Sequence, residues 1–443
     1  MNHVFHRHTA INLSTAVRGE GAYIIDDQGK HYLDASSGAA VSCLGHNNPY
    51  VIEAIKSQLD RIPYAHSSFF TNEPMEKLAD MLCERAPGDL DRVYFMSGGS
   101  EAIEASLKMA RQYFLEIGEP GRHRFISRRQ SYHGNTLGAL SVGGNQWRRA
   151  QFRPLLMEAH HISPCYPYRD KSDDETLEQY GLRVANELEE KLTELGPETV
   201  IAFIAEPVVG ATAGALVPAP GYFKRLREIC DRYGVLLILD EVMCGMGRTG
   251  TLFACEQDDV CGDLVTIAKG LAAGYQPIGA LLASRKIYEA IKEGSGFFQH
   301  GHTFMGHPAA CAAAVATLQV IERDKLLDNV TQRGNELKGA LKTQFKSHPH
   351  IGDIRGRGLF LGIELVRDRD SRETFDPALP LHTRIKAEAL NNGLMCYPMS
   401  GTIDGKRGHH ILLAPPFIID SSQVDEIVSK LSTSIDSVLK SVQ

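Results

Sequence analysis

Two short apolar runs that each end in a charge constrain this chain more than any other feature. Val235-Leu236-Leu237-Ile238-Leu239 leads into Asp240 and Glu241, and Leu264-Val265-Thr266-Ile267-Ala268 leads into Lys269 and Gly270. Runs this short, rich in Val, Ile and Leu and bounded by Gly or Asp, read as strands buried on both faces. Each charge then sits at the carboxyl end of its strand, the edge at which open parallel sheets bind ligands. An acid from one strand and an amine from just beyond the next are expected to meet in one crevice. Taken singly, each has a plainer reading, Asp240 as the cap of a turn and Lys269 as one solvated lysine among many. The company they keep along the chain decides between the readings.

Residues 92–96, 124–127 and 200–205 read as further strands, and residues 101–117 and 221–233 as helices. Strands alternating with helices imply right-handed crossovers, hence an α/β fold with a mainly parallel sheet sandwiched by helices. At 443 residues, two or three units sharing a large core are expected. Residues 1–50 form an arm, in which residues 22–34 alternate about an Asp27-Gln28-Gly29 turn as a hairpin. Residues 51–324 form the large domain, opening with helical spacing from Val51 and closing on an Ala-rich helix at 308–322. Residues 325–443 form a smaller α+β domain joined by the arm. It carries isolated strands at 359–365 and 411–413 and an amphipathic helix at 424–442 opened by Ser422-x-x-Asp425.

A net charge of −7 offers no electrostatic footprint for nucleic acid or acidic lipid, so small molecules are the expected partners. The nine cysteines are odd in number and lack any C-x-x-C spacing, which suits reduced thiols. With no apolar segment of signal-peptide or membrane-spanning length, the chain reads as cytoplasmic.

Phe95-Met96-Ser97-Gly98-Gly99-Ser100-Glu101 carries a strand through a Gly-Gly-Ser turn into a helix. Free N–H groups and the dipole at such a helix start favour an anion, with an ordinary tight turn as the alternative. Just past another strand, Tyr132 is placed either to stack on a flat ring or to pack. Gly245-x-Gly247-x-x-Gly250 matches a dinucleotide fingerprint by letter, but residues 240–244 separate it from the strand, and a Rossmann turn needs its first glycine directly after one. His300, His302, His307 and the pair His409-His410 lack the cysteine or carboxylate company of a zinc site and read as loop and interface histidines. Arg128, Arg129, Arg148, Arg149 and Arg153 read as solvated charges, one of them available to an anionic substrate, and Trp147 as core.

Together, Ser97-Gly98-Gly99-Ser100-Glu101-Ala102, Tyr132-His133-Gly134, Glu206-Pro207-Val208, Asp240-Glu241-Val242 with Gly247-Arg248-Thr249-Gly250, Ala268-Lys269-Gly270, His302-Thr303-Phe304-x-Gly306-His307-Pro308 and Ala414-Pro415-Pro416 form an ordered set spanning nearly the whole chain. The set resembles the class III, or omega, aminotransferases, pyridoxal-phosphate enzymes of fold type I. The resemblance implies that Lys269 holds the aldehyde of pyridoxal 5'-phosphate as a Schiff base and serves as general base. Asp240 would face the pyridine nitrogen and keep the ring an electron sink. It further implies that Tyr132 and Val242 pack on the ring faces, that Gly99 and Ser100 bind the phosphate, and that His133 and Glu206 lie at the cofactor. Thr303 would reach the phosphate held by the other subunit of a homodimer.

Relatives that use 2-oxoglutarate carry an arginine three residues before the first proline of the Pro-Pro pair. Leu412 stands there in this chain, so that fixed carboxylate clamp is missing. Arg407, in Gly405-Lys406-Arg407-Gly408, is expected as a mobile substitute. Tyr64, Phe69 and Phe70 are expected either to line an apolar part of the pocket or to pack in the core. The expected reaction moves an amino group from an omega-amino acid or amine to an oxo acid, pyruvate favoured, in ping-pong order. Two alternatives stay open: a lyase of the same family that expels ammonia or phosphate, and a non-enzymatic cofactor-binding regulator. Against the regulator stands the lack of a basic helix-turn-helix ahead of the α/β region.

Overall fold

The computed structural model describes residues 3–441, and its strands fall into three sheets. The chain opens with β1 (Ala16–Glu20), β2 (Tyr23–Asp26) and β3 (His31–Asp34). Seven strands follow: β4 (Leu90–Met96), β5 (Arg124–Arg128), β6 (His160–Ile162), β7 (Val200–Ala205), β8 (Leu236–Asp240), β9 (Leu264–Ile267) and β10 (Gly279–Ser284). The last five are β11 (Ile351–Arg357), β12 (Phe360–Leu365), β13 (Leu394–Met395), β14 (Tyr397–Ser400) and β15 (His409–Leu413).

The large sheet has the order β4-β10-β9-β8-β7-β5-β6. Neighbours from β9 to β6 run parallel, and β10 alone is reversed, so β4 points the same way as the rest. Every residue of β7, β8, β9 and β10 is buried, because helices cover both faces and leave no solvent side to demand alternation. Leu236 and Ile238 pack with Ile103 and Phe114 of helix Gly99–Glu116. Leu237 and Leu239 pack on the opposite side with Leu226 and Ile229 of helix Tyr222–Tyr233. The consequence for function is geometric: β4, β5, β7, β8 and β9 all end at one edge.

The arm supplies β1-β2-β3, and β13 joins it in parallel beside β3. The expected hairpin is β2 and β3; β1, whose residues are almost all exposed, has too little apolar pattern to announce itself. The strands expected to be isolated are instead neighbours in an antiparallel sheet of order β11-β12-β15-β14, with Ile363 opposite Ile411. Their partners escaped notice because Gly352, Gly356 and Pro398 interrupt the two-residue period of β11 and β14. The terminal helix is Ser421–Lys440; Val442 lies outside the described residues. Asp420, not Ser422, caps it, accepting from Gln423 N while the Gln423 side chain returns to Asp420 N.

Two buried arginines fasten this small sheet to the large one. Arg355 of β11 donates to Glu364 Oε2 at 2.5 Å and to the carbonyls of Ala213 and Gly214 at 2.6 and 2.9 Å. Arg248, in the loop beyond β8, donates to the carbonyls of Leu359 and Pro415 at 3.1 and 2.5 Å.

Candidate active site

Beyond β4 the chain turns at Ser97 and Gly98 into helix Gly99–Glu116, whose N-cap is Gly98 and whose first turn has no side-chain cap. Its leading N–H groups are therefore open to an anion. Ser97, Gly98, Gly99 and Ser100 line a cavity of about 530 Å³. A Cβ on Gly99 would lie 2.6 Å from Val242 Cγ1, so glycine is what lets the helix start sit against Val242. Ser100 Oγ accepts from Asn135 N at 3.0 Å and is therefore fixed in place.

Asp240 ends β8 and faces the same cavity. Its Oδ1 accepts from Val242 N at 3.0 Å and Thr266 Oγ1 at 3.4 Å, and its Oδ2 lies 2.7 Å from His133 Nδ1. Behind His133, at 4.0 Å from its Nε2, stands Glu206, which also accepts from Tyr132 N at 2.9 Å. Arg128 reaches Glu206 Oε2 at 3.3 Å and its carbonyl at 2.5 Å. The ends of β5, β7 and β8 thus carry a buried row, Arg128, Glu206, His133, Asp240. Burial works against protonation of His133, but Glu206 and Asp240 outweigh it and raise the imidazole above its ordinary range. A proton on Nδ1 holds the Asp240 carboxylate in one orientation.

Lys269 opens a short turn just beyond β9 with φ +48°, a conformation that costs a non-glycine residue about 1 kcal/mol or more. It lines the same cavity as Asp240. Burial pushes its ammonium down to about 8 against the opposing pull of Asp240. A neutral amine is therefore available near neutral pH. Glu241, next to Asp240, turns away: its carboxyl accepts from Ala254 N and Cys255 N at 2.6 and 2.8 Å, and burial raises it to about 7. A Cβ on Gly245 would meet the Glu241 carbonyl at 2.8 Å. That close packing explains the glycine of the dinucleotide-like motif without any pyrophosphate.

The cavity brings together Gly99, Ser100, Tyr132, His133, Glu206, Asp240, Val242 and Lys269. Thr303 is exposed elsewhere, its carbonyl accepting from Tyr64 Oη at 2.9 Å. Tyr64, Phe69 and Phe70 neither line this chain's cavity nor enter its core, and Phe70 is 68% exposed. Arg407 is also outside the cavity lining, exposed and paired with Asp404 at 2.7 Å. Arg128 is not a solvated charge but among the largest fully buried side chains, and Trp147, expected in the core, is 64% exposed. His409 and His410 are buried in β15 rather than in a loop, with His410 lying 2.7 Å from Thr402 Oγ1 and 2.9 Å from the Ala211 carbonyl. No group of metal-ligating side chains occurs among the described residues. Sequence reasoning missed Arg128, although it ends β5 as Asp240 ends β8, and it missed Arg7 and Tyr397 at the cavity wall.

An anion seat at a helix start, aromatic and aliphatic walls at Tyr132 and Val242, a fixed carboxylate and an available amine meet the demands of pyridoxal phosphate. Fold and site together define a pyridoxal-phosphate enzyme of fold type I. A family model described as aminotransferase class-III matches residues 4–435. An uncharacterized aminotransferase of Schizosaccharomyces pombe is 44% identical over 439 residues, covering 99% of this chain and 96% of that one. The crystal structure of an omega transaminase from Pseudomonas jessenii in complex with PMP superposes with a TM-score of 0.92 at 33% identity, covering 98% of this chain and 97% of that one. A thermostable (S)-enantioselective omega-transaminase from Thermomicrobium roseum gives 0.91 at 36% identity, covering 98% and 96%. The chain belongs to the class III aminotransferases, and pyridoxal 5'-phosphate is its cofactor.

Proposed function

We propose that this chain transfers an amino group from an omega-amino acid or amine to an oxo acid, with pyruvate the favoured acceptor, in two ping-pong half-reactions. The observation that carries the reading is Lys269, an amine whose ammonium is held near 8 and which faces one cavity with Asp240. Bound pyridoxal phosphate supplies an aldehyde and an electron-withdrawing ring. Lys269 Nζ would take a proton from the substrate carbon as general base and, as the resulting acid, deliver it to the carbon that the cofactor's aldehyde contributes. Asp240, held at both oxygens, would keep a proton on the ring nitrogen. Gly99 and Ser100 would seat the phosphate. The preference for pyruvate rests on Leu412, buried in β15 where a carboxylate clamp would otherwise stand.

The exposed aromatic face of Tyr64, Phe69, Phe70 and Phe304 beside Thr303 supports a homodimer in which Thr303 serves the partner's phosphate. Nine free thiols, most of them buried, support a reducing compartment such as the cytoplasm.

The test is a panel of amines and omega-amino acids added to holoenzyme while the cofactor absorbance is followed, then regeneration with pyruvate or 2-oxoglutarate. Bleaching by the amine and faster recovery with pyruvate are expected. Faster recovery with 2-oxoglutarate overturns the acceptor, and ammonia release without any oxo acid moves the chain to the lyases.

A further inference from the structure

A second cavity of about 550 Å³ shares Arg7, Arg148 and Tyr397 with the first. Three basic side chains, Arg7, Arg148 and Lys386, line it, and among the described residues no aspartate or glutamate does. In a chain of net charge −7, a chamber of this sign is a local reversal and selects for anions.

Arg148 lines both chambers. Its guanidinium carbon lies 4.5 Å from the centroid of the Tyr132 ring and 5.9 Å from that of Trp147. Stacking of this kind fixes the plane of the group while leaving its N–H edge available for a two-pronged contact. Among the described residues no carboxylate forms an ion pair with Arg148. Both acids at the cavity wall are engaged elsewhere, Asp240 with His133 and Glu206 with Arg128. Burial raises the Tyr132 phenol, and Arg148 and Arg7 both pull it back, which places the two cations within electrostatic reach of the ring.

Resting on the amino-transfer reading above, we propose that Arg148 binds the carboxylate of an extended omega-amino acid. The reacting amine lies in the Lys269 cavity, and the second chamber accepts the remote anionic end. Arg148, in the short turn at 145–148, rather than Arg407, then sets the preference for omega-amino acids over plain amines.

Two measurements on Arg148→Gln holoenzyme test this. In the amine half-reaction, kcat/KM for 5-aminopentanoate should fall roughly ten- to a hundredfold, the range of one charge-assisted contact, while pentylamine changes by less than about twofold. Trp147, the only tryptophan of the chain, lines the second chamber beside Arg148. Its fluorescence should respond saturably to glutarate in the wild type and far more weakly in the variant. Equal losses for both donors, or identical glutarate titrations in the two proteins, overturn the assignment. Should the wild type convert neither donor, the amino-transfer reading falls by itself, and the glutarate titration alone decides whether Arg148 is an anion site.

Discussion

Replacing Lys269 by Met should stabilise the cofactor-free protein. Methionine is only one heavy atom shorter, is likewise unbranched at Cβ and leaves the φ of +48° in place, so the substitution removes little but a charge. Burial lowers the ammonium from its ordinary 10.5 to about 8. At about 1.4 kcal/mol per pKa unit, holding that charge inside the fold costs about 3 kcal/mol below pH 8. Water in the cavity and the loss of a partner for Asp240 both reduce the gain, so about 1–3 kcal/mol is expected at pH 7. Between about pH 8 and 10.5 the folded wild type binds fewer protons than the unfolded chain, so its stability rises with pH through that window. The advantage of Lys269→Met should accordingly be full at pH 7 and gone above pH 10.5. Scanning calorimetry of both apo proteins at one scan rate reads this, because unfolding entropy in a 443-residue chain converts 1 kcal/mol into roughly 1 °C. A variant no more stable than wild type at pH 7, or an advantage that persists unchanged at pH 10.5, would refute the reasoning.

Gly99→Ala should weaken pyridoxal phosphate binding about tenfold, since its Cβ would lie 2.6 Å from Val242 Cγ1 and push the phosphate turn outward; equilibrium dialysis measures the loss, and adding Val242→Ala should recover part of it. Glu206→Gln removes the charge that raises His133 and strands Arg128, so the imidazole pKa should fall in an NMR titration and stability should drop by about 3–5 kcal/mol in urea. The double variant Arg128→Met, Glu206→Leu should regain most of that stability, because it leaves no charge unpaired.

The large sheet was legible because β7, β8 and β9 are buried on both faces and so appear as unbroken apolar runs. Their ends were legible for the same reason: a charge directly after such a run has only the sheet edge to occupy. The resemblance then supplied the ordered set of cavity residues. What stayed hidden depends on pairing across the chain rather than on local pattern. Nothing near Arg128 in sequence reveals that Glu206 waits opposite it at 3.3 Å. Tyr64 and Phe70 look like core or pocket residues by composition, and only the folded surface shows that one chain leaves them exposed. Trp147 fell to the same rule in reverse, since a large ring says nothing about which side of a short turn it takes. β11 and β14 were lost to glycine and proline, which remove the side chains that a two-residue period needs.

The two chambers are built from different parts of the chain. The strand ends hold the acid, the amine and the anion seat, whereas the outer walls come from the arm, the turn at 145–148, helix Leu381–Asn391 and β14. Substitutions in those walls leave the hydrogen bonds around Asp240 untouched. Descendants of such a chain are therefore free to rebuild those walls while the arrangement around the cofactor stands still.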